Sequence, residues 1–355
     1  MAEPFRSRAT GDCCSPRVDP TQGVPGDAFK STSVGDVPAV TSVLSVADRL
    51  GRWKVRWGIG RDRYRVVPGL YALGGPDERS PVMVTANYKL SFDQLRCQLR
   101  GLDAWILVLD TNGINVWCAA GKGTFGTDEL VNRIQLTELA RLVTHRTLLV
   151  PQLGATGVAG YIVKQRTGFN VIFGPVRARD IKAFLEAGMK ATPEMRRVTF
   201  TLSERMTVAQ MDLVAAMKYF LVYLMLLGVL KLVTGSFSLR SLAYAAFPVF
   251  GALLLGALAV PALLPWIPFR SFALKGWLMG VAWAIAVSML EHAGPAGFAG
   301  NLLLLPALSS FVALNYTGAT TFTSQTGVNK EIRLFARPMA MSAILGIALL
   351  LIARP

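Results

Sequence analysis

Beyond Met206 the chain carries five apolar segments, at residues 214–233, 242–264, 272–290, 296–314 and 338–352, and these restrict its folding more tightly than anything else in it. A hydrocarbon layer of ~30 Å takes about 20 residues of helix, which the first four segments supply; the fifth is the shortest. Only Asp212, Glu291 and Glu331 are acidic after Met206, whereas residues 1–206 hold 28 of the 37 Lys and Arg and 19 of the 22 Asp and Glu. The chain therefore predicts an all-α transmembrane domain of five helices over residues 207–355, preceded by a water-soluble domain over 42–206. Residues 1–41 are rich in Pro, Gly, Ser and Asp and lack an apolar core of signal-peptide length. They predict a disordered, uncleaved tail.

Arg270, Lys275, Lys330, Arg333 and Arg337 fall on the two connections that share a side with the front domain, against Lys231, Arg240, Arg354 and Glu291 on the other. That bias predicts a cytoplasmic front domain. The net charge of +15 is divided between the halves, with no basic run interleaved with aromatics, so nucleic acid is not an expected partner. A surface facing anionic lipid or an acidic partner accounts for it better. Four cysteines, Cys13, Cys14, Cys97 and Cys118, contain no CxxC pair, so neither a disulfide framework nor an iron–sulfur cluster is expected in this chain.

In the front half, β-type runs at 82–86, 104–109, 147–150, 170–173 and 197–202 alternate with helical patterns at 91–100, 127–143, 156–166 and 179–187. Such alternation predicts an α/β, Rossmann-like domain of about five mostly parallel strands with helices on both faces. Ligands of these sheets sit beyond the carboxyl ends of the strands. The unusual residues fall there: 110–126 after the second strand, 152–157 after the third and 174–177 after the fourth.

Asn112 and Gly113 signal a turn, Asn115 is a good N-cap and Gly121 a good terminator, so the sequence predicts a short helix over 116–120. Cys118 would lie in its first turn, where unpaired N–H groups and the helix dipole favour negative charge. It is a prospective metal ligand or nucleophile. The bland reading, an inert core cysteine, is opposed by the flanking Gly, Asn and Lys. Cys97 reads as core packing, Glu291 and His292 as an interfacial cap, and Cys13 with Cys14 as a weak candidate for passing soft metal. The stretch Gln152 to Gly157 resembles a phosphate loop but lacks the Gly-Lys-Ser/Thr ending.

Asn115, Val116, Trp117, Cys118, Ala119, Ala120, Gly121 and Lys122 together resemble the cap-helix signature of the mercury-methylation corrinoid proteins, the HgcA family. The likeness runs on through Gly123, Thr124, Phe125 and Gly126, through Gln152, Leu153, Gly154, Ala155, Thr156, Gly157 and Val158, through Gly174, Pro175, Val176 and Arg177, and into residues 315–324. It covers roughly residues 60–355. It implies a corrinoid-binding domain that holds cobalamin, with Cys118 as the lower axial ligand of cobalt. Thr85, Asp110, Thr111, Asn112 and Gly113 join the run from Asn115 to Phe125, Gln152, Leu153, Gly154, Ala155, Gly157, Gly174, Pro175, Val176 and Arg177 as implied cofactor-binding residues, and Lys122 is placed to neutralise a corrin amide or tail phosphate. The resemblance also implies a relationship to the corrinoid iron–sulfur protein large subunit, a ferredoxin-like [4Fe–4S] partner, HgcB, as electron donor, and a multi-pass site in the cytoplasmic membrane.

The implied activity is transfer of a methyl group from Cys-ligated methylcobalamin to Hg(II), forming methylmercury, with a methyl-tetrahydrofolate-linked methyltransferase upstream. The residues suit it: a thiolate donates more electron density than imidazole, favouring the carbanion-like methyl that Hg(II) requires. His145 and His292 do not sit in the Asp-x-His-x-x-Gly motif by which many corrinoid proteins supply imidazole. Two alternatives stand beside this one, a corrinoid methyl carrier of one-carbon metabolism with another acceptor and a membrane corrinoid sensor or transporter.

Overall fold

The computed structural model describes residues 28–353, Thr321 and Ser324 excepted. Cys13 and Cys14 lie outside the described residues, as does the tail before residue 28. The chain divides into two units: Gly60–Arg197 with the stretch up to Arg52, and Val198 onward with Trp53–Ile59.

The first unit runs β1 (Phe29–Thr32), β2 (Gly35–Val40), α1 (Val46–Arg56), β3 (Gly69–Leu73), β4 (Val82–Ala86), α2 (Lys89–Gln98), β5 (Ala104–Leu109), α3 (Val116–Lys122), α4 (Thr127–Leu136), α5 (Leu139–Leu142), β6 (Thr147–Val150), α6 (Gly160–Thr167), β7 (Asn170–Phe173) and α7 (Ile181–Glu186). The strands form one sheet in the order β1-β2-β3-β5-β4-β6-β7. β5, β4, β6 and β7 are mutually parallel, whereas β3 runs antiparallel to β5 and β1 to β2. Four expected strands are found at their expected residues. The sheet is nevertheless mixed and seven-stranded, and 197–202 is not one of its strands.

Strand periodicity builds two cores. Leu107, Leu109, Val84 and Val150 face Leu130, Val131 and Ile134 of α4 and Val163 of α6, while Ile106, Val108, Met83 and Leu149 face Phe92, Leu95 and Leu99 around α2 and Phe184 of α7. Helices thus cover both faces, as a buried parallel sheet requires. A buried four-charge cluster pins α1 to α2. Lys89 Nζ lies 2.6 Å from Asp48 and 3.0 Å from Asp93, and the Arg96 guanidinium 2.7 Å from Asp48 and 2.8 Å from Asp93. Burial works to raise the Asp48 carboxyl, but the hydrogen bond and charge of Lys89, with Ser45 and Arg96, hold it well below the usual carboxylate range.

The second unit runs α8 (Leu202–Val233), α9 (Leu239–Leu254), a π-helical turn (Leu255–Ala259), α10 (Val260–Leu263), α11 (Phe272–Leu290), α12 (Pro295–Asn315) and α13 (Gln325–Ile352). Five helices here, α9 continuing through the π turn into α10, are long and apolar enough to cross a membrane. The expected boundary at 206 falls inside α8. That helix starts at Leu202 because Thr201 and Glu204 form a capping box, Glu204 accepting the Thr201 N–H at 2.8 Å, which displaces the strand expected over 197–202. α13 likewise begins at Gln325, well before 338, and carries Pro338 within it.

Two details order this unit. The Glu331 carboxylate accepts from Ser271 Oγ at 2.9 Å and from the N–H of Phe272 at 2.9 Å, so the basic stretches around Arg270 and Lys330 lie at one end of it. Gly276 and Gly280 of α11 sit against α12 so closely that a β-carbon would come within 2.6 Å of the Ser309 carbonyl and 2.4 Å of Pro306 Cα. Small residues at such seams let helix backbones approach where lipid offers no hydrophobic drive for association.

Candidate functional site

The parallel strands stand in the order β5-β4-β6-β7, so the chain steps from β4 to one side and then crosses back over it to the other. Ligands of open α/β sheets bind at that switch point, beyond the carboxyl ends. α3 lies there, following β5 and packing against the end of β4 and the turn at Gln152–Gly154 after β6.

Its position is fixed from below. The Asn87 side chain, buried just past β4, accepts the N–H of Thr111 at 3.1 Å and of Gly113 at 2.9 Å and donates to the Asp110 carboxylate at 3.1 Å. Asp110 also accepts the Asn112 N–H at 3.0 Å. Asn112 and Gly113 take positive φ, 56° and 73°, closing the turn that lifts the chain into α3. Sequence reasoning missed Asn87, although an Asn directly after a fully buried strand is the available signal.

α3 divides cleanly into two faces. Val116, Ala119 and Ala120 are buried in the core, while Trp117, Cys118, Gly121 and Lys122 face outward. Asn115 caps it, its side chain accepting the Cys118 N–H at 2.9 Å, so that N–H is committed to the cap and not to the sulfur. The helix runs through Gly121 and stops at Gly123, whose φ of 82° makes it the terminator in place of Gly121.

The glycines of the neighbouring loop serve this helix. A β-carbon on Gly157 would lie 2.1 Å from the Phe125 carbonyl and 3.1 Å from Ala120 Cα, and one on Gly154 would strike the Phe125 ring. Gln152 accepts from Arg196 at 2.7 Å, Leu153 packs on the core, and Ala155 is half-buried. Gly174 and Pro175 are buried after β7, Val176 bonds through its N–H to the Met195 carbonyl at 2.8 Å, and Arg177 is half-buried. Thr85, Thr111 and Phe125 are buried, so they support the site from beneath, whereas Asp110, Asn112 and Gly123 are exposed and Thr124 half-buried around it. Cys97 is on α2, half-buried and outside both core clusters, so it is not the core residue expected.

Among the described residues no three His, Cys, Asp or Glu side chains gather as metal ligands. A corrin ring supplies four equatorial nitrogens and leaves one lower position for a single protein donor. An outward cysteine beside Trp117, with open space over Gly121 and Gly123, fits that group.

Cys118 thus faces outward from a capped helix at the switch point of an α/β domain, and the comparisons place that domain among corrinoid proteins. Residues 60–185 match the family model of the CO dehydrogenase/acetyl-CoA synthase delta subunit. The gamma subunit of the acetyl-CoA decarbonylase/synthase complex is 34% identical over 128 residues both in Methanopyrus kandleri and in Archaeoglobus fulgidus, covering 36% of this chain and 27% of each of those proteins. The corrinoid/iron-sulfur protein large subunit of Moorella thermoacetica is 29% identical over 127 residues, covering 35% of this chain and 28% of that one. The chain thus spans little more than a quarter of the length of these relatives. Residues 60–185 form a domain like that of the corrinoid/iron–sulfur protein large subunit, and the five-helix unit lies outside the likeness.

Proposed function

We propose that this chain is a membrane-anchored, corrinoid-dependent methyltransferase that passes a methyl group to Hg(II), forming methylmercury. One observation carries the reading: on a corrinoid-protein-like domain, a cysteine faces outward from a capped helix at the sheet's switch point, where a lower axial ligand is needed. A bound cobalamin supplies the transferable methyl group and the cobalt that holds it. Cys118 would hold the cobalt as a strongly donating thiolate, a donor that would favour release of the methyl group with its bonding electrons to an electrophile. Asn115 and Asn87 hold α3 in place, Trp117 offers an apolar wall and Lys122 an exposed cation for a corrin amide or phosphate. The front domain lies in the cytoplasm, with HgcB, a ferredoxin-like [4Fe–4S] protein, as reductant and a methyl-tetrahydrofolate-linked enzyme upstream.

The names of the relatives favour a second reading, a methyl carrier of one-carbon metabolism with another acceptor. The full chain, loaded with cobalamin and given reduced partner, methyl donor and Hg(II), separates the two. A cobalt–thiolate visible spectrum with methylmercury formation is expected. Methyl loading without transfer to Hg(II) would favour the carrier, and failure to retain any corrinoid would remove both.

A further inference from the structure

α1 combines two faces that a surface helix of a water-soluble domain does not. At 3.6 residues per turn, Asp48, Gly51 and Val55 share one stripe. Asp48 is in the ion cluster, Gly51 lies against the Tyr64 ring, and Val55 is 2% exposed. On the opposite side, within roughly 60° of arc, fall Val46, Leu50 and Trp53, with Trp57 continuing the line just past the helix. There a polar face would be expected, yet Val46 is 81%, Leu50 49% and Trp53 56% exposed. The rings of Trp53 and Trp57 stand 6.4 Å apart. Arg49 and Arg56 flank the stripe on one side and Lys54 on the other, all three exposed.

Location adds a second, independent observation. Trp53–Ile59 clusters with the helical unit. A β-carbon on Gly58 would rest 3.6 Å from Val214 and 3.8 Å from Met211, both on α8, which is long and apolar enough to cross a membrane. The turn that follows α1 therefore packs on the N-terminal half of the first candidate span.

We propose that α1 is an interfacial helix lying on an anionic phospholipid surface. Val46, Leu50 and Trp53 enter the boundary of the acyl chains, the tryptophans sit at headgroup level, and Arg49, Lys54 and Arg56 meet headgroup phosphates. Charge selects this occupant over a second copy of the chain, because two such stripes face to face would bring their cationic flanks together.

The test uses the full chain in lipid nanodiscs, with Cys13, Cys14, Cys97 and Cys118 changed to Ser and one nitroxide label on Leu50→Cys. Collision with oxygen is compared with collision by a water-soluble nickel reagent. A label on Tyr161→Cys, on an exposed position of α6, gives the water-facing reference. In discs containing phosphatidylglycerol the oxygen-to-nickel ratio at 50 should exceed that at 161 by about threefold or more, as for a buried apolar face. It should fall toward the reference in phosphatidylcholine alone and in Arg49→Gln/Lys54→Gln/Arg56→Gln. Val46→Cys repeats the measurement should a label at 50 disturb the helix. Ratios at 50 and 46 equal to the reference in anionic discs would overturn the proposal. So would a ratio that stays high without phosphatidylglycerol and without the three cations, since the cover would then be protein or uncharged lipid.

Discussion

Asn87→Ala tests the foundation of the site. The substitution deletes an acceptor for two N–H groups, those of Thr111 and Gly113, and the donor to the Asp110 carboxylate. At about 1 kcal/mol for each neutral bond and about 1.5 kcal/mol for the one to a charged group, the loss is about 3–4 kcal/mol. The bonds serve only the turn beneath α3, so the loss should appear there as local opening, raised by a factor of more than about 100. Hydrogen exchange of the full chain, followed by mass spectrometry, should show residues 110–122 exchanging that much faster while α4 keeps its protection. Exchange over 110–122 within about threefold of the parent would refute the argument that Asn87 carries the platform. Asn87→Asp sharpens the test. It keeps the acceptor but sets two carboxylates side by side, so its defect should grow as pH rises above the carboxylate range and both ionise.

Cys118→Ala should leave the fold intact, since alanine suits an exposed helical position, while abolishing cobalt–thiolate absorption and methyl transfer to Hg(II); Cys118→His should retain corrinoid but transfer poorly, both read by visible spectra and methylmercury assay. Gly157→Ala forces a β-carbon against the Phe125 carbonyl and should destabilise the seat of α3 by about 1–3 kcal/mol, seen as weaker corrinoid retention in a dialysis assay. Asp48 has its folded pKa depressed, so its stabilising contribution is full above its unfolded pKa of about 3.9 and is lost as pH falls below that. Acid titration should release α1 from α2, and Asp48→Asn, which leaves Lys89 and Arg96 to share the single Asp93 carboxylate, should cost about 3–5 kcal/mol at neutral pH and flatten that acid dependence in urea unfolding.

The central strands were legible because each is a bounded apolar run, as in Val82 to Ala86 and Ala104 to Leu109, whose burial on both faces leaves one way to read it. β3 was not, since Gly69 to Leu73 lies between Pro68 and Gly74 and gains its strand identity only by pairing with β5. β1 and β2 lie where composition reads as tail, and they too are held by pairing, with each other and with β3. At 197–202 the alternation resembles a strand, but the capping box at Thr201 prevails and Phe200 packs beside Tyr316 and Phe272 in the helical unit. The start of the cap helix was legible from Asn115, its local punctuation, whereas its end, read at Gly121, falls at Gly123. What the sequence concealed was its support, because Asn87 acts through bonds to residues more than twenty positions away.

The glycine seam between α11 and α12 makes the two halves of this chain answer differently to mutation. In the α/β unit the residues least able to change are the largest buried ones, such as Trp105, Phe92 and Phe184, whose loss leaves a void. In the helical unit Phe272 and Tyr316 are buried as fully, but the smallest residues are constrained beside them. Gly276 and Gly280 meet backbone at distances that admit no added carbon, while Leu221, Met225 and Ile344 face outward and tolerate any apolar neighbour of similar size. A saturation scan of the whole polypeptide should therefore rank most positions of the α/β unit by the volume they fill, the loop glycines under α3 excepted, and the α11–α12 seam by the volume it leaves empty.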